Sequence, residues 1–143
     1  LVASSASFRK ISGSIDYESG GFWTGKISNL ELGLVVRPSP GINIEWDYRY
    51  TKVTAENEQL DTNLIRVNLG FDFTPDISLS SNIQFEDVTK VLGTNTRFRW
   101  ILKPGTEIFV VYNHNWLSNT DLDRRFTTLQ QVGALKAVYT YRF

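Results

Sequence analysis

Apolar and polar residues alternate along most of this sequence with a period of two. In 42–50, Ile, Ile, Trp, Tyr and Tyr occupy every second position, with Asn, Glu, Asp and Arg between them. Successive side chains of a β-strand point to opposite faces of a sheet, so the pattern predicts strands with one apolar and one polar face. Five later segments alternate in the same way: 65–73, 77–86, 97–103, 107–116 and 135–143.

Turn signals divide the alternating segments from one another. Proline and glycine, which fix or free the backbone φ angle, predict tight turns at 37–41, 74–76 and 103–105. Longer polar loops are predicted between these turns, at 19–21, 55–61, 87–93 and 118–128. This rhythm is typical of an up-and-down meander and predicts eight strands in one domain over 1–143. The first strand, at 8–18, is the least regular, and a β-bulge is expected at 23–27.

The apolar face contains most of the large aromatic side chains. In the third to eighth predicted strands it contains no Asp, Glu, Lys or Arg. Ordinary side chains already fill the interior of an eight-stranded barrel, so this aromatic set would overfill it, whereas facing outward it contacts lipid. We therefore predict an all-β fold, an eight-stranded antiparallel up-and-down transmembrane β-barrel. A soluble β-barrel or sandwich, whose strands also alternate, is the alternative.

Aromatic residues gather toward both ends of the predicted strands. Amphipathic rings favour the two membrane–water interfaces, so two such groups are expected of a membrane-spanning barrel. The predicted aromatic belts consist of Tyr48, Tyr50, Phe73, Phe85, Trp116, Tyr141 and Phe143.

The last predicted strand ends on alternating aromatic residues, Tyr139, Tyr141 and Phe143. A terminal aromatic on an amphipathic strand is the pattern that the barrel-insertion machinery recognises, so these three residues are the predicted insertion signal. The expected location is the bacterial outer membrane, with short turns and both termini on the periplasmic side. The expected partners are outer-membrane lipid, or detergent in its place, and the insertion machinery through the C-terminal strand.

The polar face of a narrow barrel points inward, where isolated charges are costly and must be paired. We expect an interior polar and ion-pair network that fills the barrel. In a wider barrel the same side chains would line water, and Arg49, Arg66, Arg97 and Arg99 would form an anion-selective strip. The predicted network consists of Glu45, Asp47, Arg49, Arg66, Asp72, Glu86, Arg97, Arg99, Glu107, Lys136 and Arg142.

Composition excludes several functions. Lys plus Arg and Asp plus Glu number 15 each, so the net charge does not favour a nucleic-acid partner. The chain has no Cys, hence no disulfide and no thiol nucleophile, and we expect no metal and no cofactor. A mean hydropathy of -0.21 and the lack of a long apolar run exclude transmembrane helices but leave transmembrane strands open.

Candidates for catalysis are few. His114 is the only histidine, and its parity places it on the predicted lipid-facing side, where we expect it to join the aromatic belt. Asp121 and Asp123, in the most charged predicted loop, are the acids that an outer-membrane enzyme would use at the outer rim. Charged loops are usually solvated surface, so the sequence favours a protein that is not an enzyme.

Two segments resemble a known family. One is Leu-Val-Val-Arg-Pro-Ser-Pro at 34–40; the other is Thr-Asn-Thr-Arg-Phe-Arg-Trp-Ile at 94–101, continuing through Lys-Pro-Gly-Thr-Glu at 103–107 to Val-Val-Tyr-Asn at 110–113. They resemble the C-terminal β-barrel region of large Gram-negative outer-membrane proteins of poorly defined function. In that family a module similar to family-9 carbohydrate-binding domains precedes the barrel. The resemblance covers most of the chain from about Gly21 and implies the C-terminal part of a longer protein; it transfers no catalytic residue.

Together these features predict a non-catalytic integral outer-membrane β-barrel that serves as a membrane-embedded scaffold or anchor. The alternatives are a pore or transport sector of a larger outer-membrane barrel and, less favoured, an outer-membrane enzyme. Pairing of the first strand with the last distinguishes a barrel closed at eight strands from a larger one, because a closed sheet has no free edge. No feature of the sequence indicates an oligomeric state.

Overall fold

The computed structural model describes residues 1–6, 9–22, 25–55, 58–119 and 125–140, which form a single antiparallel β-sheet. Each strand pairs with its neighbours in chain order, so the sheet is an up-and-down meander. In the described ranges there is no helix with the length and apolarity to cross a membrane. The strands are β1 Val2–Ser4, β2 Ile11–Phe22, β3 Gly25–Val36, β4 Ile42–Ala55, β5 Glu58–Thr74, β6 Ile77–Glu86, β7 Val91–Lys103, β8 Thr106–Asn119 and β9 Arg125–Tyr139.

The predicted all-β meander is confirmed, but it has nine strands and not eight. The eight predicted strands correspond to β2–β9, and the additional strand is β1, which lies opposite residues 14–16 of β2. Backbone bonds extend this short pairing: the Tyr17 amide donates to the Leu1 carbonyl at 2.8 Å, and the Leu1 ammonium donates to the Tyr17 carbonyl at 2.6 Å. Three residues are too few to show an alternating pattern, so no sequence signal indicated β1.

The sheet is not closed within the described residues, which corrects the prediction of a closed eight-stranded barrel. β9 pairs with β8 alone, and β2 pairs with β3 and, over three residues, with β1. β1 occupies the middle of the β2 edge that a closing antiparallel strand would use. An odd number of strands also does not return the chain to its starting end, so the even-count argument for placing both termini on one side is lost.

The strands continue into segments that were predicted to be long loops. Residues 19–21 belong to β2 and 58–61 to β5, while β8 extends to Asn119 and β9 begins at Arg125. Between β6 and β7 only the turn 87–90 remains, and its last residue, Lys90, has a φ of 56°. The predicted contrast between short turns and long loops is therefore wrong. Near these strand ends the regular alternation of apolar and polar residues is lost, and apolar residues such as Leu60 stand isolated among polar ones, although backbone pairing persists.

The β-bulge predicted at 23–27 is absent from the described part of that segment, because residues 25–27 pair in unbroken register with 20–22. Trp23 and Thr24 lie outside the described residues. Irregular register occurs instead at three other places: Asp72/Thr74, Ile101/Lys103 and Asn115/Trp116.

The register keeps two faces of the sheet continuous from strand to strand. Val67 lies opposite Trp46 on the apolar face, and the preceding residue, Arg66, lies opposite Asp47 on the polar face. The same parity carries across β2–β9, which confirms the predicted alternation. A slip of one residue would exchange the faces of a strand, so the pairing and the sequence pattern support each other.

This sheet has no hydrophobic core. Among the described residues no apolar side chain is fully buried, and only Ser12 falls in the buried class. The accessible surface is 10595 Å², whereas the scaling for compact monomers gives about 7,500 Å² for a chain of 16.3 kDa. The apolar face is therefore an uncovered surface.

Gly41 provides a test of the turn before β4. Its φ is +79°, and a Cβ there would meet the carbonyl oxygen of Asp72. We expect Gly41→Ala to lower the free energy of unfolding by about 1–3 kcal/mol, through backbone strain and this clash. Gly133→Ala is the matched control, since its added methyl meets no atom within 4 Å. Urea titration followed by tryptophan fluorescence measures both variants, and equal stabilities would contradict the turn geometry.

Candidate functional site

The polar face of the sheet collects the charged residues that were predicted to form an interior network. Their common face follows from the period of two, and the strand registers place them there. Arg142 lies outside the described residues. The residues on this face are Glu45, Asp47, Arg49, Arg66, Asp72, Glu86, Arg97, Arg99, Glu107 and Lys136.

Four asparagines form one row across the polar face. Asn68, Asn82, Asn95 and Asn113 lie directly opposite one another on β5, β6, β7 and β8. Glu45 of β4 stands at one end of this asparagine row, opposite Asn68. The four residues are unevenly spaced along the chain, so only the strand register brings them into line. Sequence reasoning missed them for that reason.

Hydrogen bonds join the asparagine row in two separate pairs. Nδ2 of Asn82 donates to Oδ1 of Asn68 at 2.5 Å, and Nδ2 of Asn95 donates to Oδ1 of Asn113. Nδ2 of Asn68 donates in turn to Oε2 of Glu45 at 3.5 Å. No hydrogen bond between described residues joins the two pairs. The Oδ1 atoms of Asn82 and Asn95 therefore remain available as acceptors.

Two ion pairs occur on the polar face of the described chain. Nε of Arg49 lies 2.8 Å from Oε1 of Glu31, and Nε of Arg99 lies 3.0 Å from Oε2 of Glu107. More than half of the Arg49 and Glu31 side-chain surfaces is exposed, so solvent screens this pair and it contributes little to stability. Arg49, Arg99 and Glu107 belong to the predicted network; Glu31 does not.

Acidic residues outnumber basic ones on the β2–β4 part of the polar face, where Arg49 pairs with Glu31. Three basic residues lie on β7 and β9, with Glu107 of β8 between them. Arg97 and Arg99 line a shallow hollow of 320 Å³ together with Phe109. Arg66 lies between the two groups and donates to Oε1 of Gln84 at 3.4 Å. The acidic group is Asp16, Glu18, Glu31, Glu45 and Asp47, and the basic group is Arg97, Arg99 and Lys136.

A larger hollow, of 690 Å³, lies over β6–β9 beside the asparagine row. The acid on its lining, Glu86, accepts a hydrogen bond from Oγ1 of Thr89 at 3.0 Å. Gly93 keeps the hollow open, because a Cβ there would lie 3.0 Å from Oδ1 of Asn115. Uncharged amides make up half of the lining: Asn82, Gln84, Asn95, Asn113, Asn115 and Gln130.

His114 lies on the apolar face, as its parity predicted. Its ring stacks on Trp116 with the centroids 3.7 Å apart. Its Nδ1 is hydrogen-bonded to the Tyr112 hydroxyl at 2.9 Å, and its Nε2 to Oγ1 of Thr128 at 3.0 Å. Both ring nitrogens are hydrogen-bonded, so His114 forms a local cluster with Tyr112, Trp116 and Thr128 on the apolar face. Asp121 and Asp123 lie outside the described residues.

Some residues of the predicted aromatic belts lie near strand ends, but Tyr48 does not. At the tight-turn end Phe73 stacks with Phe71, and the Lys103 ammonium lies 5.2 Å from the ring of Tyr139. Phe85 lies near the opposite end of β6, whereas Tyr48 lies midway along β4, where its hydroxyl donates to Oδ1 of Asn63 at 2.6 Å. Their role as membrane belts stays a prediction. The predicted residues Tyr141 and Phe143 lie outside the described residues.

Comparison with known proteins does not assign this chain to a family: no family model, no curated protein and no solved structure matches it. In the described ranges, no three His, Asp or Glu side chains are grouped closely enough to hold a metal ion. The functional proposal therefore rests on the two faces of the sheet.

Asp87 fastens the β6–β7 turn to β5. Its Oδ1 accepts a hydrogen bond from the backbone amide of Asn63 at 2.8 Å, and its Oδ2 accepts one from Nδ2 of Asn63 at 2.5 Å. These two bonds, the backbone one first, lower the pKa of Asp87 below its ordinary value. The ionised carboxylate therefore favours the folded state.

The stability that Asp87 provides should depend on pH. It is present above the pKa of the unfolded chain, about 4, and is lost as the pH falls through the lower folded-state pKa. We expect Asp87→Asn to be less stable than the parent at pH 7, with the difference shrinking toward pH 2. Urea unfolding across this range measures it, with Asp76→Asn as the control because that turn carboxylate makes no hydrogen bond to a described residue. A difference that did not change with pH would contradict this role.

Proposed function

We propose that this chain forms a section of the wall of a β-barrel that spans the bacterial outer membrane. The apolar face contacts lipid, the polar face points into the barrel, and the section serves as a non-catalytic scaffold. The observation that carries the proposal is an apolar face on which the described residues form neither a hydrophobic core nor a covering layer. Exposed apolar surface of this extent marks a protein or membrane contact, and lipid would cover the whole apolar face.

The extent of the apolar band on β4 supports a bilayer as its solvent. From Ile42 to Tyr50 every second residue is apolar or aromatic, and the next position on the same face is Lys52, opposite Asp61. This band spans nine residues, and a transmembrane strand needs about 9–11. The charged pair then falls at the level of the headgroups.

Polar side chains on the apolar face bond to one another. Oγ of Ser81 lies 2.9 Å from Oγ1 of Thr96, and His114 bonds to both Tyr112 and Thr128. A polar group facing hydrocarbon without a partner costs several kcal/mol. These internal bonds make the residues compatible with a lipid-facing position.

The free edge of β9 favours a section of a barrel wall rather than a complete barrel. Lipid offers no partner to unpaired backbone amides and carbonyls, so further strands must cover this edge within a membrane. The resemblance of the turn segments to the barrel region of large Gram-negative proteins fits such an arrangement. Insertion would proceed through the C-terminal strand, with Tyr139, Tyr141 and Phe143 as its signal.

A pore or transport sector of a larger barrel is the second candidate, and the same free edge favours it. More strands widen a barrel, and its interior then holds water. The ion pairs between described residues leave Arg97 and Lys136 without a carboxylate partner, which suits a hydrated face. The scaffold and the pore are distinguished by one property, the conductance of a lipid bilayer that contains the protein.

Arginine substitutions test which face contacts lipid. Val67→Arg should lower the free energy of unfolding in phospholipid vesicles by about 2–4 kcal/mol, because it places a charge on the lipid side near the midplane. Val35→Arg is the matched control: Val35 lies opposite Glu45 on the polar face, so the added charge gains a partner. Urea unfolding in vesicles measures both. A cost at Val35 with none at Val67 would reverse the assignment of the faces.

Conductance separates the scaffold from the pore. A section that serves only as a scaffold should give no stable current steps in a planar lipid bilayer after incorporation, which a fluorescent label verifies. Reproducible ion-sized steps would replace the scaffold by the pore, and their loss of anion preference in an Arg97→Gln variant would place this strip along the conducting path.

A further inference from the structure

The hollow beside the asparagine row contains hydrogen-bonding groups that the fold does not use. We call it the amide hollow; it is lined by Asn82, Gln84, Asn95, Asn113, Asn115 and Gln130. Its position on β6–β9 is fixed by the strand register and not by a loop. Groups held on strands of one sheet keep their spacing, which suits a site that recognises a defined pattern of hydroxyls.

Acceptors and donors are both available in the amide hollow. The Oδ1 atoms of Asn82 and Asn95 accept no hydrogen bond from a described residue, although these residues are direct cross-strand neighbours. Nδ2 of Asn113 and the whole amide groups of Asn115 and Gln130 likewise bond to no described side chain. A ligand group that both donates and accepts therefore finds partners on either side.

The charge of the hollow argues against an ionic ligand. The one carboxylate on its lining, Glu86, is bonded to Thr89, and a cation generally requires several oxygen ligands with charge among them. The basic residues that an anion requires, Arg97 and Arg99, line a different hollow. The remaining class is a neutral solute with several hydroxyl groups.

We propose that the amide hollow binds a neutral polyhydroxylated solute such as a short oligosaccharide. The proposal rests on the proposed function, in that it takes the polar face to be the side that meets solutes inside the barrel. The volume of 690 Å³ lies within the range of about 300–1,000 Å³ usual for ligand pockets. No aromatic ring lines the hollow, so binding depends on hydrogen bonds and is weak.

Side-chain amide NMR detects such weak binding directly. The chain, folded in detergent micelles and labelled with ¹⁵N, is titrated with maltotriose while the NH₂ resonances of Asn and Gln are followed. We expect saturable shifts for the resonances of the amide hollow. Asn95→Leu removes one acceptor, and Gly93→Val fills the space beside Asn115; each should weaken binding by about tenfold or more.

Asn29→Leu is the matched control. It makes the same chemical change on the polar face of β3, outside the hollow, and should bind maltotriose as the parent does. Absence of saturable shifts in the parent, or equal binding by all variants, would overturn the proposal. So would the same shifts on titration with KCl or CaCl₂ at lower concentration, because they would make the hollow a cation site.

Failure of this proposal is distinguishable from failure of the proposed function. The NMR titration requires a folded sheet in detergent micelles, whereas the Val67→Arg and Val35→Arg comparison requires a lipid bilayer. If the arginine result holds and maltotriose does not bind, only the amide hollow is rejected. If maltotriose binds and the arginine costs are reversed, the site remains and the membrane assignment is rejected.

Discussion

The cross-strand register of backbone hydrogen bonds is the constraint on which everything else in this protein depends. In most folds a packed interior also holds the strands in position, but here the described residues include no buried apolar side chain. The strands are held in step by their ladders and by the two faces that those ladders create. One displaced strand would bring charged residues among the aromatics and break the line of the asparagine row at the same time.

Much of the fold was predictable because a period of two leaves little freedom. The parity of Trp46 and Asp47 predicted opposite faces, and the pairing of β4 with β5 has them so. The ends of the strands were less accessible to sequence reasoning. Residues 19–21 are Ser and Gly, and in 58–61 only Leu60 is apolar, so pairing continues there without an alternating hydrophobic signal. β1 was missed because three residues are too few to show an alternating pattern. The prediction of a closed barrel was wrong because closure depends on which strand pairs with the edge of β2.

The candidate site shows a different limit. Parity alone assigned the charged residues to the polar face, but it did not say which of them meet. Arg49 pairs with Glu31, which lies directly opposite it on β3, and Arg66 bonds to an amide and not to an acid. The asparagine row depends on three successive registers, each set by turn lengths and bulges. Such an alignment is a property of the assembled sheet, and no local pattern encodes it.

A sheet without an interior also separates two kinds of change that compact proteins must make together. In a packed domain, a new side chain at a binding site disturbs neighbours that stabilise the fold, so selection for a new ligand competes with selection for stability. Here successive side chains of a strand lie on opposite faces, and Asn82 and Ile83 are adjacent in sequence yet face different surroundings. The polar face is thus free to diverge while the apolar face stays constant, and one backbone is able to acquire many surfaces.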